Sequence, residues 1–328
     1  LTSYDLINSF SVLLSPKYFL LERGIVLKST GSRYKVLYGN NKVLECSIRG
    51  KLRIRELRTT NPVAVGDNVL FEFEEKSGLG IITGVLDRKN YILRKASNLS
   101  REAQIIASNI DQAFLMITII LPETQVEFID RFLITAEAYR IPAVIIINKT
   151  DLYKEPEIEK MNYLIAMYGK AGYECLELSV LQSGGLDILR ERMKDRITLI
   201  SGNSGVGKTS LLNALNPELR LKTAGISEYH KQGKHITTFP EMHPLPSGGY
   251  VIDTPGIRGF GVVDMERNEI YHFFREIFKT SKNCRFHNCL HLDEPGCAVR
   301  TAVENGEIDF LRYRSYLNIM EGNNRKYR

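Results

Sequence analysis

No stretch of this chain stays apolar for the roughly 18–20 residues that a membrane span needs, although 43% of its 328 residues are hydrophobic. A transmembrane anchor is therefore not expected. The first twenty residues, LTSYDLINSFSVLLSPKYFL, lack a basic opening and a small-residue cleavage site, so they do not read as a signal peptide. They are taken as an N-terminal extension. Internal repeats and low-complexity tracts are also missing, which argues against a repeat architecture. Cysteine is scarce, at five residues. Three of these, Cys284, Cys289 and Cys297, fall within fourteen residues, whereas Cys46 and Cys175 stand alone. Such uneven spacing argues against a disulfide framework and for a reducing compartment with a metal site.

What is present divides the chain. Residues 1–95 hold 16 Lys/Arg against 9 Asp/Glu, a net of +7, while the whole chain carries +6. A basic N-terminal module suits a polyanion, most simply nucleic acid. From Gly24 to about Lys95, short alternating segments separated by Gly-Ser and Gly-Asn-Asn breaks predict five strands. They imply a small all-β barrel over 21–95, of oligonucleotide-binding (OB) or SH3-like type. Arg49, Lys51, Arg53, Arg55 and Arg58 form its densest basic run. The first four of these are spaced two apart, so on a strand they would share one face and could bind RNA.

Near residue 100 the pattern changes. IDQAFLMITII and IPAVIIINKTD are continuous apolar runs of the kind buried on both faces of a sheet. Between and after them, segments such as VEFIDRFLITAEAYR repeat apolar residues at helical spacing. Alternating strands and helices predict a mostly parallel α/β domain over 96–262. Residues 263–328 read as helix (MERNEIYHFFREIF), an irregular Cys/His segment, and helix again (EIDFLRYRSYLNIM).

The α/β segment carries three phosphate and base motifs. SGNSGVGKTS follows a strand and opens a helix. It fits a phosphate loop running from Gly202 through Asn203, Ser204, Gly205, Val206 and Gly207 to Lys208, Thr209 and Ser210. The glycines turn backbone N–H groups toward phosphate, Lys208 reaches the β/γ-phosphates, and the Thr209 hydroxyl suits Mg2+. VIDTPG places Asp253 at a strand end, where it can hold Mg2+ through water, with the Gly256 N–H near a γ-phosphate. NKTD supplies Asp151, whose carboxylate can accept from guanine N1–H and the exocyclic amine, a donor pair adenine lacks. Asn148 can bridge neighbouring loops, the Lys149 stem can pack along the base, and Ser179 either supports the base or simply caps its strand. The order is unusual, because NKTD at 148–151 precedes the phosphate loop at 202–209. It predicts a circularly permuted domain rather than an accidental motif.

Between phosphate loop and DTPG lies the polar GISEYHKQGKHITTFPE, which suits a switch segment. Thr237 and Thr238 are its candidates to cap Mg2+. Ile257 stands where many GTPases place a water-orienting Gln, so His235 is the candidate to orient water, against the plainer reading of a surface loop residue. Cys284-x4-Cys289-x-His291-x5-Cys297 offers three thiolates and an imidazole for one structural Zn2+. His287 is a competing ligand, and the tight Cys289-x-His291 turn favours His291.

Taken in order, the basic barrel, NKTD, SGNSGVGKTS, GKHITT, DTPGIRGF and the Cys/His spacing resemble the RsgA family of circularly permuted GTPases (ribosome small subunit-dependent GTPase A, also called YjeQ or YloQ). The resemblance covers about residues 21–328. It implies an OB barrel, a central GTPase domain and a mainly helical zinc-binding C-terminal domain. It further implies a monomeric cytoplasmic enzyme that hydrolyses GTP to GDP and phosphate late in 30S maturation. The 30S subunit and its 16S rRNA would stimulate it, with release after hydrolysis and His235 as the catalytic residue. The family's switch usually reads H-T-T-T, and here it is His235-Ile236-Thr237-Thr238. The other expectation is a GTP-gated RNA-binding checkpoint in which turnover is incidental.

Overall fold

The computed structural model describes residues 21–48, 62–74, 78–95, 103–221, 240–253 and 265–322, which fall into two units. In the first unit the alternating segments become β1 (Glu22–Ser29), β2 (Tyr34–Tyr38), β3 (Lys42–Ile48), β4 (Asn68–Glu74) and β5 (Leu79–Val85). β1 pairs antiparallel with both β2 and β4, β2 with β3, and β4 with β5, while β3 runs parallel to β5. That circuit, β1-β2-β3-β5-β4-β1, closes a five-stranded barrel of the OB type and answers the SH3-like alternative. Inward residues Val26, Tyr34, Val36, Val69, Phe71 and Ile82 fill it. Buried Asp67 accepts from Arg88 (2.6 and 2.7 Å), the Ala64 N–H (2.8 Å) and the Ser108 hydroxyl (2.6 Å). This charge-assisted cluster ties the 62–67 turn to the segments that follow. Those contain β6 (Tyr91–Lys95) and β7 (Ala103–Ser108), and Ala107 of β7 bridges Val65.

The second unit follows the predicted alternation. β8 (Gln112–Ile117), α1 (Val126–Ala138), β9 (Ala143–Asn148), α2 (Glu155–Lys170), β10 (Glu174–Leu178), α3 (Leu186–Met193), β11 (Ile197–Gly202) and α4 (Lys208–Leu215) succeed one another. A short β12 (Glu241–Pro244), which periodicity did not reveal and whose first two residues belong to the first unit, precedes β13 (Tyr250–Asp253). Parallel pairing gives the order β10-β9-β8-β11-β13. Every residue of β8 and β9 is buried, as their unbroken apolar runs require. The chain lays β9 and β10 to one side of β8, then returns to place β11 on the other. Ligands of open α/β sheets bind beyond the carboxyl ends of strands near such a reversal.

The C-terminal part holds α5 (Arg275–Ser281), α6 (Ala298–Glu304) and α7 (Phe310–Met320). MERNEIYHFFREIF, read as one helix, is instead a 3-10 turn at Ile270–Phe273 and then α5. The break is at Phe274, which is extended (φ −94°, ψ 98°) and fully buried. There its ring packs under the Arg312 guanidinium, 4.8 Å from the centroid. Asp309 caps α7 by accepting the Leu311 N–H at 2.8 Å. Arg312 on α7 reaches Asp130 of α1 (2.5 Å) and Glu276 of α5 (2.6 Å), with Arg312 and Asp130 buried and Glu276 partly buried. No helix among the described residues is long and apolar enough to cross a membrane.

Candidate functional site

Three sequence motifs meet at the carboxyl edge of the parallel sheet. β11 ends in Gly202, the chain turns through 203–206, and α4 begins at Lys208 with Gly207 as its N-cap. Glycine is required twice. Gly207 has φ +104°, and a Cβ there would lie 2.4 Å from Asn148 Nδ2. At Gly202 (φ +148°) a Cβ would lie 2.3 Å from the Met116 carbonyl. Val206 points into the core, while Ser204 and Gly205 are exposed. Lys208 Nζ donates to the Gly202 and Asn203 carbonyls (2.6 and 2.7 Å). Burial brings its pKa down to about 8, with Asp253 acting in the opposite direction. Half-buried Thr209 and Ser210 follow in the first turn of α4. Asp253 ends β13 and lies in register with Ile200 of β11.

The NKTD strand end is tied to this loop. Asn148, 2% exposed, donates from Nδ2 to the Val206 carbonyl (2.8 Å) and accepts the Val180 N–H at Oδ1 (3.2 Å). One side chain thus joins the phosphate loop to the strand end after β10. Lys149 adopts a left-handed backbone (φ +67°), and its ammonium donates to the Leu121 carbonyl. Burial lowers its pKa, and Asp151 raises it. The Ser179 hydroxyl donates to Asp151 Oδ1 at 2.6 Å, and Thr150 Oγ1 donates to the Leu178 carbonyl at 3.2 Å. Both bonds lead to the end of β10, and the Ser179 hydroxyl holds the Asp151 carboxylate. Asn148, Lys149, Asp151, Ser179, residues 202–210 and Asp253 all lie along one sheet edge. His235, Thr237, Thr238, Gly256 and the run Arg49, Lys51, Arg53, Arg55 and Arg58 lie outside the described residues.

Sequence reasoning missed the segment after β8. Residues 118–124 fold back on themselves, with Thr118 Oγ1 donating to the Pro122 carbonyl (2.5 Å) and the Thr124 N–H to the Thr118 carbonyl (3.0 Å). A Cβ on Gly205 would sit 3.4 Å from Pro122 Cδ, so this segment abuts the phosphate loop. Nothing local signals that role except the proline in ILPET.

Cys284, Cys289, His291 and Cys297 form the second centre, with their donor atoms all within 4.8 Å of one another. His291 Nδ1 lies 3.6 Å from both Cys284 Sγ and Cys297 Sγ. A tetrahedral metal with S and N ligands sets S···N edges of about 3.5 Å, so the group fits such an ion. These distances make Nδ1 the ring atom that faces a metal, and the opposite atom, Nε2, is buried with no hydrogen-bond partner. Burial lowers the His291 pKa, favouring the neutral imidazole that a metal needs. It also pushes the Cys289 and Cys297 thiols up, so a nearby cation is what would stabilise thiolates there. Glu294 accepts the Leu290 and Leu292 N–H groups (2.7 and 2.8 Å), bracketing His291. Tyr313 and Tyr316 of α7 donate to the carbonyls of His291 and Leu290, each at 2.6 Å. His287, the competing ligand, is exposed and stands outside the group.

Comparison with known proteins agrees with this geometry. A family model described as RsgA GTPase matches residues 85–263, and one described as RsgA N-terminal domain matches 23–82. The chain is 52% identical over 299 residues to the small ribosomal subunit biogenesis GTPase RsgA of Bacteroides fragilis, covering 91% of this chain and 96% of that protein. It is 51% identical over 308 residues to the protein of the same name from Christiangramia forsetii, covering 93% and 98%. Among solved structures it resembles YjeQ from Thermotoga maritima, with a TM-score of 0.75, 35% identity and coverage of 92% and 98%. It also resembles YloQ, titled a circularly permuted GTPase, with a TM-score of 0.72, 30% identity and coverage of 96% and 100%.

Proposed function

The chain belongs to the RsgA GTPase family, and on that premise we propose that its GTP hydrolysis times a late step in biogenesis of the small ribosomal subunit. GTP is bound at the carboxyl edge of the parallel sheet. Asp151 accepts from guanine N1–H and the exocyclic amine, held in place by Ser179. Asn148 keeps the base loop in register with the phosphate loop, and the Lys149 stem lies along the base. Backbone N–H groups of 202–207 cradle the phosphates, Lys208 and Ser210 contact them, and Gly256 meets the γ-phosphate. Thr209 and Asp253 are hard oxygen donors of the kind Mg2+ takes, with Thr237 and Thr238 as further candidates. When bound with the nucleotide, Mg2+ neutralises phosphate charge. His235 orients the attacking water when the subunit is bound.

The remaining parts serve docking. Residues 21–95 form the RNA-binding module, with Arg49, Lys51, Arg53, Arg55 and Arg58 facing 16S rRNA. Residues 96–262 form the GTPase domain, and 263–328 a domain held by one structural Zn2+ on Cys284, Cys289, His291 and Cys297. The protein acts as a monomer in the cytoplasm. The observation that carries the proposal is the Asn148 side chain, hydrogen-bonded at once to Val206 and Val180. It supports a single nucleotide site assembled from motifs in permuted order.

Two readouts on the full chain test it. Asp151→Asn replaces a double acceptor with a group that can donate to the C2 carbonyl of xanthine, so preference should move from GDP to xanthosine diphosphate by about tenfold or more. Elemental analysis should find one zinc per chain. An unaltered base preference, or a metal-free chain with the Cys/His cluster intact, would contradict the respective assignments.

A further inference from the structure

We propose that Tyr153 is a positioning residue for guanine recognition, its hydroxyl bridging the end of the base-reading strand to the loop after β8. The last ladder pair between β8 and β9 is Ile117 with Ile147. Beyond it the two backbones part, and the phenol enters the gap. Tyr153 Oη donates to the Asn148 carbonyl at 2.5 Å and accepts the Ile119 N–H at 2.9 Å. The residue is 9% exposed, and both bonds are in the interior. Burial pushes the phenol up to about 12, so it remains a donor through the physiological range.

This placement bears on the nucleotide site. Ile119 belongs to the self-closed segment 118–124, which meets the base loop again where Lys149 donates to the Leu121 carbonyl. The same segment abuts the phosphate loop at Gly205. Asn148, whose carbonyl the phenol holds, carries the side-chain bridge from Val206 to Val180, and Asp151 follows three residues later. Without the hydroxyl, a buried N–H and a buried carbonyl lose their shared partner, and the loop that aims Asp151 gains freedom. The expected consequence is looser reading of the base, with no lost contact to the ligand itself.

The inference rests on the reading that Asp151 takes guanine, and the experiment separates the two. Dissociation constants of the full chain are measured for GDP and for inosine diphosphate, which lacks the exocyclic amine, in the unaltered protein, Tyr153→Phe and Asp151→Asn. Tyr153→Phe should weaken GDP about tenfold and shrink the preference for GDP over inosine diphosphate about threefold. Asp151→Asn should remove that preference. If Tyr153→Phe weakens both ligands equally, or neither, while Asp151→Asn acts as stated, Tyr153 is only a packing residue and the inference falls alone. If Asp151→Asn leaves the preference intact, the base reading falls and takes the inference with it. Should the Phe variant not fold, amide exchange at Ile119 in the unaltered chain decides. Slower exchange with GDP supports the bridge, and exchange indifferent to GDP contradicts it.

Discussion

Lys208 shows how one buried cation sets a condition on binding. Its ammonium is held by two phosphate-loop carbonyls, and burial brings its pKa to about 8. Phosphate oxygens favour the charged form, so the pKa must rise in the complex. A group whose bound pKa exceeds its free pKa supports binding fully below the free value and loses that support as pH climbs past it. GDP affinity should therefore be flat up to about pH 8 and fall above it, approaching tenfold per unit. Isothermal titration at several pH values checks this, and a profile flat to about pH 9 contradicts it. The sheet-edge placement of Lys208, Asp151 and Asp253 was legible in the sequence, because each stands in a short motif at or next to a strand end. Tyr153 was not. Its partner Ile119 is 34 residues away, and no local pattern marks a phenol that bridges two strand ends.

At the scale of elements, long amphipathic helices and fully buried strands were readable from their periods: α1 spans most of VEFIDRFLITAEAYR, and β8 and β9 lie inside their apolar runs. Short elements that carry no motif were not. β12 spans four residues and α6 seven, too few for a period to emerge. The division of MERNEIYHFFREIF was equally hidden, since it depends on Phe274 turning inward beneath Arg312, a residue far along the chain. Arg312 fastens α7 to α1 and α5 through Asp130 and Glu276, and it is 1% exposed. Removing one partner of a buried pair strands the other charges. Arg312→Met should thus cost about 3–5 kcal/mol of stability in urea unfolding. A loss below about 1 kcal/mol would show the network to be dispensable.

For the whole molecule, the strand order β10-β9-β8-β11-β13 explains how a permuted sequence still builds one site. NKTD, the proposed base-reading motif, comes first in the chain and the phosphate-loop motif second, yet both meet at the same sheet edge through Asn148. The helices that leave the base-reading half are those on which the C-terminal part is seated. Tyr163 of α2 donates to Asp309 (2.7 Å), Lys170 of α2 to the Gly306 carbonyl (2.7 Å), and Asn318 of α7 to Glu127 of α1. The C-terminal part is thus braced, through residues 306–318, against α1 and α2. GTP hydrolysis here is proposed to answer to the small ribosomal subunit. Single-turnover hydrolysis of GTP by the full chain, with and without purified small subunits, tests it most directly. Hydrolysis should be slow alone and at least about tenfold faster with subunits. Nucleotide-dependent binding to the subunit with an unchanged hydrolysis rate would contradict it and leave a GTP-gated checkpoint in its place.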